Sequence, residues 1–233
     1  MKFFKEDQFN WIALKLTTII SVIFVFELFF PDSAFFFALD SSQVLLKPYT
    51  LVTYSFLHVN LSHLFSNMFF LVIFGTILEK VVGPKNFLFV YFISAIFSGL
   101  VGIFFYSIPV VGASGAIFGV MATLAVLRPL LIVYVGAPLP MIALMILYAI
   151  LAIAQATSPN SDPLIANVGH LAGIGIGVVL GIYYYPDFKE KKIKTKKVKL
   201  DEKKHREWED LWLKHQSGND FSPVDSRIAR TDN

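Results

Sequence analysis

The sequence predicts an all-α, polytopic membrane protein with a bundle of six transmembrane helices, and three observations support this prediction. The chain of 233 residues is 55% hydrophobic, contains 24 phenylalanines and has a mean hydropathy of +0.63. It contains six apolar runs, each close to the roughly 20 residues that a helix needs to cross a bilayer. The body between Glu6 and Asp187 is nearly uncharged, whereas 13 of the 20 lysines and arginines follow Asp187. Helices are expected because each one satisfies its own backbone hydrogen bonds in lipid.

Prolines, glycines and charged residues separate the six apolar runs, whose predicted limits are 11–30, 61–82, 87–106, 114–128, 139–156 and 165–185. The fourth run crosses the hydrocarbon only if it begins below the membrane surface. Pro186 and Asp187 are expected to end the sixth helix. The connection 32–57 is too polar and broken to be a span. A signal peptide is the alternative for the basic N-terminus, but Lys15 interrupts the run and no small-residue cleavage site follows, which favours a retained span.

The basic residues predict the orientation in the membrane. The outer segments carry only Lys47, whereas the inner segments carry the lysine-rich tail and five further basic residues: Lys2, Lys5, Lys80, Lys85 and Arg128. This distribution follows the positive-inside rule. The sequence therefore predicts a multi-pass protein of the plasma (cell) membrane with both termini in the cytoplasm.

Two domains are predicted, a six-span membrane domain at 1–187 and a basic cytoplasmic tail at 188–233. In the tail, a lysine block precedes an amphipathic helix at 201–215, with one face formed by Trp208, Leu211, Trp212 and His215. A solvated tail and docking on anionic lipid or on a partner helix are both compatible with this pattern. No long basic and aromatic surface lies elsewhere, so nucleic acid is not an expected partner.

Few polar residues in the apolar runs are suited to chemistry, and cysteine is absent. His58, His63 and Asn67 precede or begin the second run, Ser114 begins the fourth, and His170 lies early in the sixth. In the predicted topology all three runs start on the outer face, so these groups are expected at one depth. His63 and Asn67 share a helix face because they are four residues apart.

Small residues predict close contact between the fourth and sixth helices. They recur four positions apart in both, as Gly115 and Gly119 in the fourth helix and Gly173 and Gly177 in the sixth. Such patterns let helix backbones approach closely in lipid. A hydrogen bond between Ser114 and His170 requires this approach, because both side chains are short. Phe118, one turn after Ser114, is placed to pack against the imidazole.

Serine and histidine together indicate nucleophilic catalysis. Serine becomes a good nucleophile when a base takes its proton, and neutral histidine is such a base near pH 7. The oxyanion that forms needs preorganised donors, for which the backbone N–H of Ser114 and the side chains of Asn67 and His63 are candidates. A Ser–His dyad is favoured over a triad, because the nearest acids, Glu27 and Asp162, lie in the first span and in a loop.

This combination resembles the rhomboid intramembrane serine proteases, over roughly residues 46–185. The matching stretches are Lys47-Pro48-Tyr49-Thr50-Leu51, Phe56-Leu57-His58, the cluster of His58, His63 and Asn67, Gly112-Ala113-Ser114-Gly115, and His170-Leu171-Ala172-Gly173 with Gly177. The resemblance implies a nucleophile at Ser114, a base at His170 and oxyanion donors at His63 and Asn67. It also implies supporting roles for Gly112, Gly115 and Phe118, and no cofactor or metal.

The resemblance implies an endopeptidase that cleaves transmembrane-segment substrates near the outer membrane face. Two departures from the family are visible. Many members carry tyrosine where this chain has Phe118, and the Trp-Arg pair of some bacterial members is missing between Pro31 and Lys47.

Three alternatives remain beside the protease. The first is a non-catalytic rhomboid-like protein that binds membrane clients without cutting them. The second is a small transporter, for which internal repeats would be expected. The third is a zinc site from His58, His63 and His170, which is not favoured because no H-E-x-x-H motif or nearby acidic ligand accompanies it. His58 is expected mainly to cap or hydrogen-bond the loop before the second span.

Overall fold

The computed structural model describes residues 10–105, 108–157 and 167–216, which are mostly helical. The helices are α1 (Ile12–Phe29), α2 (Ala34–Phe37), α3 (Thr50–Thr53), α4 (Leu61–Phe70), α5 (Thr76–Val82), α6 (Pro84–Gly102), α7 (Ser114–Leu127), α8 (Met141–Ala156) and α9 (Asn167–Gln216). The chain divides into two compact units, Met1–Phe188 and Lys189–Asn233. Predictions for Lys2, Lys5, Tyr106, Asp162, Ile165 and the side chain of His215 lie outside the described residues.

Four helical stretches are long and apolar enough to cross a membrane, namely Ile12–Phe29, Leu61–Val82, Pro84–Gly102 and Asn167–Glu190. The protein is accordingly an integral membrane protein. Helices α7 and α8 are apolar but contain only 14 and 16 residues. At a rise of 1.5 Å per residue they are about 21 and 24 Å long, shorter than a hydrocarbon core of about 30 Å. The described residues thus contain four full-length candidate spans and two shorter apolar helices.

Helix α7 occupies the core of the first unit. Eleven of its 14 residues are buried, in keeping with a helix that is apolar on every side. Its glycines allow the neighbouring helices to approach closely. A Cβ atom at Gly173 or Gly177 of α9 would collide with the carbonyl oxygen of Gly115 or Gly119, respectively. The close contact predicted from the small-residue patterns is therefore confirmed.

A buried carboxylate holds the start of α1. Glu79 of α5 accepts the backbone N–H groups of Asn10, Ile12 and Ala13 at 3.2, 3.0 and 2.9 Å. The first turn of a helix leaves such N–H groups without helical partners, so Glu79 satisfies them from a distant part of the chain. No local sequence pattern pointed to this contact, because its partners are 66 or more positions apart.

The second predicted run is one continuous helical segment with a π-helical turn, Leu71–Gly75, between α4 and α5. Asn60 caps its start, since the side-chain oxygen accepts the backbone N–H of His63 at 2.8 Å. This cap sets the first turn of α4, on which His63 lies.

Two expectations about local structure were wrong. Between α7 and α8 the chain forms an antiparallel hairpin, β1 (Ile132–Val135) and β2 (Ala137–Pro140), in a fold predicted to be all-α. The β-branched and aromatic residues of β1 favour a strand, and Gly136 takes the positive φ of 80° at the turn. The sixth helix also does not end at Pro186, which lies inside α9. Proline removes only one backbone donor, and the helix-favouring lysines and glutamates that follow extend the helix.

Candidate active site

Ser114 and His170 meet where two helices begin. Ser114 is the first residue of α7, and His170 lies in the first turn of α9. The Oγ atom of Ser114 lies 2.7 Å from Nε2 of His170, and both side chains are half-buried. In the Nδ1–H tautomer of the imidazole, Nε2 accepts the hydroxyl proton of the serine. This is the geometry that a serine nucleophile and its general base require.

Polar contacts fix α9 on both sides of the histidine. The hydroxyl of Ser98 in α6 donates to the carbonyl of Gly169 at 2.7 Å, one residue before His170. Two turns further on, the hydroxyl of Thr123 in α7 donates to the carbonyl of Gly177 at 2.9 Å. Both hydrogen bonds are buried, so they add directional constraints to the close glycine contacts between the helices.

The imidazole of His170 packs on an aromatic ring. The centroid of the Phe118 ring lies 4.7 Å from that of His170, with 42° between the planes. Tyr148 of α8 contacts Phe118 edge-on at 5.5 Å, and Phe70 contacts Tyr148 at 5.8 Å. The missing hydroxyl at position 118 therefore does not prevent a ring from supporting the histidine, and α8 supports that ring.

His63 and Asn67 face the same space from α4. The Asn67 side chain is buried, and its Nδ2 donates one hydrogen bond to the carbonyl of His63 at 3.1 Å. An amide nitrogen carries two hydrogens, so one N–H of Asn67 remains for a further acceptor. Gly112 lies against His63 with a φ of +127°, and a Cβ atom there would be 2.7 Å from Cε1 of the imidazole. Glycine is required at this position both by its backbone conformation and by the space available.

A cavity of about 410 Å³ connects these groups. Its lining includes Ser114, His170, His63, Asn67 and Phe118, together with the apolar or aromatic side chains Phe70, Ile117, Met121 and Tyr148. Among the described residues, no acidic side chain lines it. The cavity therefore combines a serine and a histidine in hydrogen-bond contact and several neutral hydrogen-bond donors with a mostly apolar wall.

His58 and Glu27 meet at the loop before α4. The His58 ring is buried, and neither ring nitrogen makes a hydrogen bond in the described structure, so the ring does not make the expected hydrogen bond to the loop. Instead, the backbone N–H of His58 donates to Oε2 of Glu27 at 3.3 Å. Glu27 thus contacts the loop before α4. The described residues contain no group of three or more histidines, cysteines or acids positioned to hold a metal ion.

Several contributors to the site had no clear signature in the sequence. Tyr148 was one tyrosine in an apolar run, and only its hydroxyl set it apart from its neighbours. Ser98 was equally inconspicuous in α6. A two-way backbone bridge between Leu39 and Val110, with N···O distances of 3.0 and 2.8 Å, ties the first loop to the segment before Ser114. Such contacts depend on the tertiary fold, which no local pattern encodes.

Known proteins share part of this sequence. A family model described as the Rhomboid domain matches residues 46–187. The chain belongs to the rhomboid family. Two similar relatives come from Arabidopsis thaliana. "Rhomboid-like protein 11, chloroplastic" is 30% identical over 148 residues, which is 57% of this chain and 51% of that protein. "RHOMBOID-like protein 6, mitochondrial" is 33% identical over 147 residues, which is 62% of this chain and 47% of that protein.

The Rhomboid domain match includes four polar residues that line the cavity, His63, Asn67, Ser114 and His170. It begins after α1 and α2 and ends at residue 187. The chain spans about half the length of the curated relatives it matches. Family membership is therefore established for the part of the chain that forms the cavity.

Proposed function

We propose that this rhomboid protein is an intramembrane serine endopeptidase that cleaves transmembrane-segment substrates through a dyad of Ser114 and His170. The observation that carries the proposal is the 2.7 Å contact between Ser114 Oγ and His170 Nε2 inside a cavity that also contains His63 and Asn67. Such proximity places a nucleophile beside its base without further reorganisation.

In the acylation step, His170 Nε2 takes the proton of Ser114 as Oγ attacks the carbonyl carbon of the scissile peptide bond. The negative charge moves to the carbonyl oxygen, which the backbone N–H of Ser114 and the side chains of Asn67 and His63 stabilise. When the tetrahedral intermediate collapses, the C–N bond breaks and the protonated His170 gives its proton to the leaving amine. The products of this step are an acyl-enzyme on Ser114 and the amine fragment of the substrate.

Water completes the reaction. The cavity volume of about 410 Å³ is many times the roughly 30 Å³ that a water molecule occupies in the liquid. His170 takes a proton from one such water, the resulting hydroxide attacks the acyl carbon, and the serine leaves with the proton returned by His170. A Ser–His dyad is sufficient for this sequence, since no acid needs to change its protonation state.

We further propose the six-span topology with both termini in the cytoplasm, in which α7 and α8 cross as shorter helices and Ser114 lies below the outer surface. The distribution of basic residues supports this orientation, and we place the protein in the plasma (cell) membrane. The names of the two relatives refer to chloroplasts and mitochondria, so they do not support that choice of membrane.

The native chain contains no cysteine, so the topology can be tested with single cysteines. We expect a membrane-impermeant maleimide to label Lys47→Cys but not Arg128→Cys in intact cells, and to label both after permeabilisation. Labelling of only Arg128→Cys in intact cells would reverse the proposed orientation. Equal labelling of both would contradict an odd number of crossings between them.

The dyad is tested by cleavage of a single-span reporter in liposomes. Ser114→Ala and His170→Ala are each expected to lower the cleavage rate by at least about 10⁴-fold, because the loss of one member of a catalytic unit disables the whole unit. Ser66→Ala is the matched control, because Ser66 lines the same cavity but donates to the carbonyl of Ser62. Its rate should remain close to that of the wild type.

A fluorophosphonate probe separates the protease from a non-catalytic client-binding protein. We expect the probe to label the wild type and Ser66→Ala but not Ser114→Ala. Cross-linking of the reporter without cleavage, combined with no labelling of the wild type, would support the client-binding alternative. Cleavage that survives in Ser114→Ala or His170→Ala would exclude the role proposed for that residue.

A further inference from the structure

Two histidine rings pack against each other at the edge of the cavity. The centroids of His58 and His63 are 5.0 Å apart, and the rings meet edge to face at 63°. Only His63 lines the cavity, whereas His58 lies behind it with 4% of its surface exposed. Three nitrogens of this pair, Nδ1 and Nε2 of His58 and Nδ1 of His63, are buried without a hydrogen-bond partner in the described structure.

Buried polar atoms normally find a partner, so each of these nitrogens needs an explanation. A neutral imidazole has one N–H donor and one acceptor nitrogen. If His63 is to donate to an oxyanion in the cavity, its Nε2 must carry the proton, because Nδ1 is buried away from solvent. Its Nδ1 is then an acceptor, and the adjacent ring of His58 is a potential source of the matching donor.

We propose that His58 is a positioning residue whose ring N–H donates through one bridging water to Nδ1 of His63, and thereby holds His63 in the Nε2–H tautomer. The inference rests on the proposed function, in which His63 donates to the oxyanion. His58 would not touch the substrate. It would act by setting which nitrogen of His63 carries the proton.

A hydrogen bond to α1 fixes the backbone of His58. Its N–H donates to Oε2 of Glu27, a buried carboxylate of α1. Burial lowers the pKa of His58, and the backbone carbonyl of Phe56, which opposes this shift, is a competing acceptor for the ring N–H of His58. A His58 N–H directed at Phe56 would present a bare nitrogen to His63 and favour the opposite tautomer, with the proton on Nδ1.

The direct test is the tautomer of His63 in the intact protein. Nitrogen NMR of the full chain labelled with ¹⁵N-histidine in nanodiscs distinguishes Nδ1–H from Nε2–H, and the spectrum of His63→Asn assigns the signals. We expect wild-type His63 to be in the Nε2–H form, with Nδ1 shifted by an accepted hydrogen bond. In His58→Phe, which keeps a ring of similar size without nitrogens, we expect a mixture of both tautomers.

Kinetics provide a second readout. His58→Phe is expected to lower kcat for the reporter by roughly tenfold with KM unchanged, less than the 10²-fold or more that loss of an oxyanion donor costs. An amide nitrogen can replace an imidazole N–H, at the position of Nδ1 in His58→Asn or of Nε2 in His58→Gln. One of these two variants should recover most of the lost kcat.

The outcomes separate this proposal from the proposed function. An Nδ1–H form of wild-type His63, or an unchanged tautomer in a folded His58→Phe variant, would overturn the role of His58 whether or not the protein cleaves the reporter. The wild type could also fail to cleave the reporter while showing the Nε2–H form of His63, with loss of that form in His58→Phe. This result would support the hydrogen bond between the histidines and exclude a role for it in catalysis. Should His58→Phe fail to fold, the wild-type spectrum alone decides.

Discussion

The two sides of the cavity are built in different ways. On one side, α7 is almost entirely buried and meets α9 backbone to backbone at its glycines. On the other side, α8 buries only four of its 16 residues, Met141, Leu144, Met145 and Ala152. Its contribution to the cavity is the half-buried ring of Tyr148, which packs edge-on against Phe118.

This difference separates two tasks. In the proposed protease, reacting groups must be held to within a fraction of an ångström, and close packing of helix backbones would achieve this for Ser114 and His170. Space for a substrate segment would not need such precision, and α8 borders the cavity with larger side chains and fewer buried contacts. We therefore expect substitutions on the α7–α9 side to affect kcat and stability, and substitutions on α8 to affect mainly KM.

Among the variants that compare the two sides of the cavity, the largest effect is expected at the glycine contact. In Gly173→Val, the new side chain would collide with the carbonyl of Gly115 and push α9 away from α7. Overpacking of this kind costs about 1–3 kcal/mol of stability, and a shift of about 1 Å at the dyad lowers the rate by roughly 100-fold. Thermal unfolding in detergent and reporter cleavage measure the two effects.

Gly175→Val is the matched control for this variant. It places the same side chain two residues further along α9, where a Cβ atom meets nothing within 4 Å. We expect wild-type cleavage and almost unchanged stability. Equal losses in both variants would mean that the helix tolerates valine poorly, and the glycine contact would then not explain the result for Gly173.

The α7–α9 side was also the part that the sequence predicted best. Glycines four residues apart and single polar residues in apolar runs are local patterns, and they were enough to predict the approach of Ser114 to His170. The environment of His58, the contact of Glu79 with α1 and the support from Tyr148 were not predictable in this way. Each includes a contact between residues far apart in the sequence, so it depends on tertiary packing and leaves no periodic signal.

Local propensity also accounts for the errors in secondary structure. The short hairpin was not predicted from the sequence, because a run of only four β-favouring residues in β1 does not stand out in an apolar sequence. Pro186 was taken as a helix end, although the residues around it favour helix strongly enough to continue through it. Both errors lie outside the residues that line the cavity.

An intermediate effect is expected at the contact between α6 and α9. Ser98→Ala removes the buried hydrogen bond to the carbonyl of Gly169 and should cost roughly 1 kcal/mol of stability, with a smaller loss of kcat than in Gly173→Val.

Ser94→Ala is the control one turn earlier in α6. The Ser94 hydroxyl is buried without a hydrogen-bond partner in the described structure, so its removal should be neutral or slightly stabilising. A larger destabilisation by Ser94→Ala than by Ser98→Ala would contradict the importance of the hydrogen bond to Gly169.

The smallest effect on kcat is expected on α8. Tyr148→Ala enlarges the cavity and removes the edge-on contact with Phe118, a type of contact worth about 0.5–1.5 kcal/mol. We expect KM for the reporter to change by about fivefold while kcat falls no more than about threefold, because α9 still holds His170 beside Ser114.

Ile146→Ala on the same helix removes an exposed side chain that does not line the cavity, and should leave both constants unchanged. A loss of kcat in Tyr148→Ala as large as that in Gly173→Val would mean that the aromatic contact, rather than the glycine contact, positions the histidine, and the two sides of the cavity would then share one task.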